Sequence, residues 1–111
     1  NPEKLERAAQ SLSQEGLDVI CACFDVTDKK GVDTAVADLL RRVAKIDILV
    51  NNAGTNLRAP LEEFTEDDWD AIMTVNLKGA YLVAQAVVKN MIQHDSGKII
   101  NICSMQSCNY L

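Results

Sequence analysis

The period of the apolar positions changes several times along the chain, and each change marks an element. Asn1 and Pro2 suit an N-cap and a first helical position, and Leu5, Ala8, Ala9 and Leu12 form a helical stripe that ends before Gly16. Asp18 to Phe24 then reads as a strand, and Val32, Val36, Leu39, Leu40 and Val43 return at helical spacing. Ile46 to Asn51 is short, β-branched and apolar without alternation, the pattern of a strand covered on both faces. Lys98 to Cys103 reads as a third strand. Helix and strand alternate with no linker, repeat or low-complexity stretch between them. Such alternation predicts parallel pairing with right-handed crossovers, hence an α/β layer fold.

The longest helix carries the most local information. Thr65 with Asp68 resembles a capping box in which Asp replaces the usual Glu, and Phe64 before the cap is placed to staple onto Trp69. From there Trp69, Met73, Asn76, Ala80, Ala84, Val87 and Met91 lie along one stripe, which puts an amide among core-facing apolar residues. A buried amide without partners costs on the order of 1–3 kcal/mol, so Asn76 must be bonded to something. It is either a satisfied core asparagine that bends the helix or a functional group. Leu77, Tyr81, Leu82, Val83, Val88 and Ile92 widen the apolar surface and leave mainly Lys78, Gln85, Lys89 and Gln93 as the polar side. One sheet face cannot cover so much. A partner subunit, or further parts of the same chain, would cover the rest.

Composition narrows the setting. The chain has 111 residues, enough for a core, with 48% apolar and 24% charged residues, the balance of a soluble globular protein. A net charge of −5 argues against nucleic acid or an anionic membrane as partner. The longest apolar runs fall far short of a bilayer span and no N-terminal signal pattern is present, so the expected location is the cytoplasm. Of Cys21, Cys23, Cys103 and Cys108, three lie in predicted buried strands, where free cysteine behaves as a small apolar residue. Cys21 and Cys23 share one side of their strand, but no neighbouring histidine or carboxylate completes a metal site. No metal is expected.

The candidate chemistry starts where the second strand stops, in Asn51-Asn52-Ala53-Gly54. Asn51 and Asn52 can bond backbone groups across a sheet end, and Ala53 and Gly54 let the main chain approach a flat ligand closely. The bare tetrapeptide would serve equally as a plain turn. Its setting is a resemblance: the strand and tetrapeptide, the segment Thr65 to Asn76 and the segment Gly97 to Ser104 (Gly-Lys-Ile-Ile-Asn-Ile-Cys-Ser) together resemble the short-chain dehydrogenase/reductase family. The likeness covers the whole chain but only the middle of that family's domain. It implies a partial Rossmann-type, doubly wound parallel sheet, from the third to the fifth strand. The glycine-rich phosphate loop that opens the family's domain and the Tyr-x-x-x-Lys element that follows Ser104 are not among these residues, so the chain is expected to be an internal portion of one NAD(P)-binding domain.

Site residues follow from the resemblance position by position. Asp25 and Val26 match a pair that touches the adenine ring, the carboxylate accepting from its amino group. Thr27 or Asp28 would otherwise simply cap the next helix, with Asp25 in that cap network. Asn52, Ala53 and Gly54 match backbone packed near the adenosine ribose, and Val75 closes the adenine side. Asn76 matches an asparagine that distorts its helix and holds a water linked to the family's catalytic lysine. Ser104 matches the hydroxyl that polarises the reacting carbonyl, at the carboxyl end of its strand where open α/β folds bind ligands. Tyr110 follows Ser104 too soon, and with Leu111 as the last residue of the chain it cannot begin a Tyr-x-x-x-Lys element.

The implied reaction is hydride transfer between an alcohol or carbonyl and NAD or NADP, with no preference between the two dinucleotides readable here. The run Ile-Cys-Ser-Met-Gln-Ser resembles the family's gluconate 5-dehydrogenase branch more than its fatty-acid reductase branch, which points to a sugar acid or polyol. Arg58, in the loop after Gly54, would bind a substrate carboxylate or else carry no role. His94 reads as a helix-end residue favoured by the dipole. Family members commonly pair through the helix at 66–93, so a homo-oligomer is expected. The alternative function is a truncated, catalytically inactive unit for folding or interaction. In the strand order 3-2-1-4-5-6, Asp18 to Phe24 should not pair with Ile46 to Asn51, whereas Ile46 to Asn51 should pair in parallel with Lys98 to Cys103.

Overall fold

The structure, a computed structural model, describes residues 1–104, so Cys108, Tyr110 and the run after Ser104 lie outside the described residues. Helix α1 (Pro2–Gln14) begins where the Asn1 carboxamide accepts from the Lys4 N–H at 3.3 Å and Pro2 occupies the first turn. Helix α2 (Lys29–Val43) is capped by Asp28, whose Oδ1 accepts from the Lys30 N–H at 3.1 Å. Strand β1 (Ile48–Asn51) follows, then a single 3₁₀ turn at Leu61–Glu63. Helix α3 (Glu66–Met73) opens on the expected capping box, with the Asp68 N–H donating to Thr65 Oγ1 at 3.1 Å and the Thr65 N–H to Asp68 Oδ2 at 3.4 Å. It passes without a break through a π-helical stretch, Thr74–Gly79, into α4 (Ala80–Gln93). Strand β2 (Lys98–Asn101) ends the regular structure.

The two strands pair in parallel, Ile48 opposite Lys98 and Asn51 opposite Asn101, with the α3–α4 run as their crossover. The parallel ladder is the one anticipated from the chain. Three strand expectations need correction: β1 starts at Ile48 rather than Ile46, β2 stops at Asn101 rather than Cys103, and residues 18–24 join no ladder among the described residues. A strand exists only through a partner. In the strand order 3-2-1-4-5-6 this segment stands at the sheet edge beside the second strand, two strands separate it from β1, and neither of those is among the described residues. The anticipated lack of pairing between this segment and β1 therefore holds.

The core forms where α2 and α4 meet, from Val32, Val36, Val83, Val87 and Met91, with Val26, Leu40, Ile46, Leu49 and Ala86 packed at its edge. A Cβ on Gly97 would lie 2.4 Å from Met91 Cγ and Sδ, so the turn into β2 closes over Met91 only with glycine. Helices cover one sheet face. On the other, Ile48, Val50, Ile100 and Ile102 stay exposed, the face that a doubly wound sheet gives to its second helical layer. For the same reason Cys21, Cys23 and Cys103 are exposed rather than buried in strands as expected.

The long apolar stripe also departs from expectation. Trp69 is 57% exposed and Asn76 is exposed, whereas Val87 and Met91 are buried. The stripe assumed an uninterrupted helix. A π-helical stretch adds residues to its turn and rotates everything before it relative to everything after it. The run Glu66–Gln93, 28 residues, is by length and composition apolar enough to cross a membrane, contrary to the reading of its shorter apolar runs. Part of its apolar side is packed in the core, where Leu82, Val83, Val87 and Met91 are buried and α4 meets α2 and β1, while Leu77, Tyr81 and Ile92 stay exposed.

Asn90 anchors this packing from α4. It is buried, accepts from the Ile46 N–H at 3.0 Å and donates to the Ala44 carbonyl at 3.1 Å. Between those two groups Ala44 turns the chain at φ +62°, and the Lys45 N–H bonds the Val43 carbonyl at 2.7 Å. That is a γ-turn of the strained hand, tied on both sides by one amide.

Candidate functional site

The parallel ladder ends in two amides. Asn51 and Asn101 stand opposite each other in register, and the Asn51 Nδ2 donates to Asn101 Oδ1 at 2.9 Å and, at 3.4 Å, to the Ala80 carbonyl. The apolar run stops at this point because two side chains that need partners find them in each other. Beyond Asn51 the chain leaves the sheet as an irregular segment through Asn52, Ala53 and Gly54, all exposed and, in the last two, with little or no side chain to hold a ligand off the backbone.

That segment is tied to the helix above it. Asn76, in the middle of the π-helical stretch, accepts from the Thr55 N–H at 2.8 Å and donates to the Thr55 carbonyl at 2.9 Å. Its amide is thus satisfied by backbone rather than by a core partner, and the helix is distorted where the sequence placed it. Gly54 lies beside the same amide: a Cβ there would sit 3.6 Å from Asn76 Oδ1. Val75, one residue before, is half-buried.

Asp25 precedes α2. Its Oδ1 accepts from both the N–H and the hydroxyl of Thr27, at 2.8 and 2.7 Å. These bonds, the backbone one first, stabilise the charged form and hold the carboxyl below its ordinary 3.8, against a small opposing cost of desolvation. Capping of α2 falls to Asp28. Asp25 is therefore not the cap, and both of the bonds it accepts from Thr27 fall on Oδ1. Val26, next in the chain, is half-buried against the core edge.

Ser104 lies three residues past the end of β2 and is exposed, on the same carboxyl side of the sheet as Asn51, Asn101 and the Thr55–Asn76 pair. Arg58 is exposed in the irregular segment and makes no ion pair among the described residues. His94 ends α4, its Nδ1 2.8 Å from the Asn90 carbonyl. A groove of about 630 Å³ runs between residues 20–25 and α2, with Phe24, Asp25 and Gly31 among its walls. It reaches Asp25, and neither Asn76 nor Ser104 lines it. No group of three or more His, Cys, Asp or Glu comes together among the described residues.

Two contributors, Thr55 and Asn101, were not singled out in the sequence, and Thr27, read there as a possible cap, bonds Asp25 instead through its N–H and hydroxyl. Asn101 left a signal, a lone amide inside an apolar strand. Thr55 acts through its backbone groups, which leave no pattern.

A parallel sheet crossed over by a helix, with polar groups collected at its carboxyl end, defines a Rossmann-type α/β unit. The chain belongs to the short chain dehydrogenase family, whose model matches residues 1–111. It is 49% identical over 107 residues to the gluconate 5-dehydrogenase of Gluconobacter oxydans (strain 621H), spanning 96% of this chain and 42% of that protein. Among solved structures it superposes with a TM-score of 0.91 on a gluconate 5-dehydrogenase from Burkholderia cenocepacia J2315 in complex with NADP and tartrate, at 49% identity, covering 100% of this chain and 44% of that one. It also superposes on an NAD⁺-bound xylitol dehydrogenase with a TM-score of 0.94 and 35% identity, covering 100% and 43% of the two chains. The chain therefore spans less than half the length of the relatives it matches.

Proposed function

We propose that these 111 residues are an internal portion of an NAD(P)-dependent oxidoreductase that interconverts an alcohol and a carbonyl on a sugar acid or polyol. The observation that carries this reading is the gathering of the Asn51–Asn101 pair, the Asn76–Thr55 pair and Ser104 at one end of a parallel ladder, in a chain 49% identical to a gluconate 5-dehydrogenase. Relatives crystallised with NADP and with NAD⁺ support either dinucleotide.

The residues fit such a cofactor. The carboxylate of Asp25, whose ionised form Thr27 stabilises, would accept from the adenine amino group, with Val26 and Val75 beside the ring. The small residues Ala53 and Gly54, with Asn52, let the backbone close on the ribose. A bound nicotinamide gives or takes the hydride. Ser104 donates to the substrate oxygen, orienting it and favouring charge that develops there. Asn76 keeps the loop and helix in fixed relation and faces the relay that the Tyr-x-x-x-Lys element, outside these residues, completes. Arg58 binds a substrate carboxylate.

The enzyme works in the cytoplasm as a homo-oligomer through the helix at 66–93, where Leu77, Tyr81 and Ile92 are left exposed, and needs neither nucleic acid, membrane nor metal. Assay of the full-length protein with gluconate, its 5-keto form and xylitol, against NAD(H) and NADP(H), tests the reading. Turnover with one of them that Ser104→Ala removes supports it. No turnover with any would favour the catalytically inactive unit instead.

A further inference from the structure

Gly79 is buried at the junction between the π-helical stretch and α4, with ordinary helical angles of φ −58° and ψ −49°. No backbone requirement calls for glycine there, and glycine weakens a helix interior relative to alanine. What calls for it is Val26. A Cβ on Gly79 would lie 2.9 Å from Val26 Cγ2 and 3.3 Å from Val26 Cβ, well inside contact distance. A β-branched side chain is stiff about χ1, and its Cβ is fixed to the main chain, so rotation of Val26 cannot relieve the second contact. The 25–26 backbone, or the helix, must move.

We propose that Gly79 is a positioning residue for the adenine end of the cofactor: its missing side chain seats the helix on Val26 and sets the Asp25-Val26 pair against the stretch that carries Val75 and Asn76. The proposal rests on the reading of Asp25 and Val26 as adenine contacts. Two segments more than fifty residues apart in the chain thereby meet by close approach.

The test is a double-mutant cycle in the full-length protein with Gly79→Ala, Val26→Ala and their combination, measuring the dissociation constants of NAD⁺ and NADP⁺ by titration calorimetry together with melting temperature and steady-state kinetics. Gly79→Ala should weaken binding of the preferred dinucleotide roughly tenfold, mid-range for coupled residues in contact, with the loss concentrated in KM rather than kcat. Placed on Val26→Ala, which removes the 2.9 Å contact with Cγ2 and keeps only the 3.3 Å contact with Cβ, the same substitution should cost clearly less affinity, and lower the melting temperature less, than it does in the parent. An equal loss of affinity in both backgrounds overturns the proposal, since the effect would then not pass through Val26. Asp25→Ala is measured alongside. Unchanged affinity in that variant defeats the cofactor reading and the proposal with it, whereas a loss there beside unaltered binding by Gly79→Ala overturns the proposal alone.

Discussion

Asn76 and Thr55 bond each other in both directions, the amide oxygen taking the Thr55 N–H at 2.8 Å and the amide nitrogen giving to the Thr55 carbonyl at 2.9 Å. One side chain thus performs for the loop what a neighbouring strand would do, completing a donor and an acceptor at once. Asn76→Ala should cost about 1–2 kcal/mol of stability, two modest hydrogen bonds that water partly replaces. Asn76→Asp is the sharper variant. A carboxylate still accepts from the N–H but turns a second acceptor toward the Thr55 carbonyl, so at neutral pH it should be no more stable than Asn76→Ala. Thermal denaturation of both variants decides; an aspartate variant as stable as the parent would show that the donor half of the pair contributes nothing.

Ser104 carries the chemistry in the proposed reaction. Ser104→Ala in the full-length protein should lower kcat by roughly 10²–10³, the usual effect of removing a donor to developing oxyanion charge. Steady-state kinetics in both reaction directions checks it, and a loss confined to KM would reassign Ser104 to substrate binding alone.

The helices and the two paired strands were legible from periodicity, and the parallel pairing from the strand order that the resemblance implies: the breaks at Gly16 and Asn51, the cap at Thr65 and the apolar run after Gly97 all survive into the structure. Exposure was not. Whether Cys21 or Ile48 is buried depends on which layers stand beside them, and local sequence does not say. Trp69 failed for a different reason, the π-helical stretch around Asn76, which periodicity averages over. At the site, side chains in obvious surroundings such as Asn51 and Asp28 were readable, while Thr27 and Thr55 contribute as partners of others and Gly79 by what it lacks.

The Asp25 carboxyl sits below its ordinary value because Thr27 bonds its ionised form twice. A lowered folded value means that the associated stability is present above the ordinary pKa of 3.8 and fades as the pH falls through the lowered value. Thr27→Val removes the hydroxyl bond and leaves the backbone bond. Its titration, followed by NMR on the carboxyl carbon, should move upward toward 3.8 without reaching it. A midpoint unchanged from the parent would mean that the backbone bond alone sets the value.

Leu77 and Ile92 are 62% and 68% exposed on a helix whose opposite side is already in the core. In a homo-oligomer they are covered by a second copy. Leu77→Lys with Ile92→Lys should therefore shift the full-length protein toward monomer in sedimentation velocity, with little effect on the melting of the monomer, since neither residue contributes to the buried cluster. An unshifted sedimentation profile would place the subunit contact elsewhere.

Asn90 offers the clearest stability prediction, because its two bonds hold a strained turn rather than a regular element. Ile46 N–H and Ala44 carbonyl flank the γ-turn at Ala44, and Asn90, 7% exposed, satisfies both. Asn90→Leu keeps much of the volume and removes both bonds, leaving a donor and an acceptor at the core edge without partners. The expected cost is about 2–4 kcal/mol, two such groups at 1–2 kcal/mol each. Since the turn lies at the amino end of β1 and the site at its carboxyl end, kcat and KM measured below the lowered melting temperature should stay close to those of the parent. Unfolding in urea supplies the stability difference. A variant less than about 1 kcal/mol weaker would show that Ala44 holds its positive φ without the amide, and that the strain of the γ-turn is borne by the packing of α2 on α4.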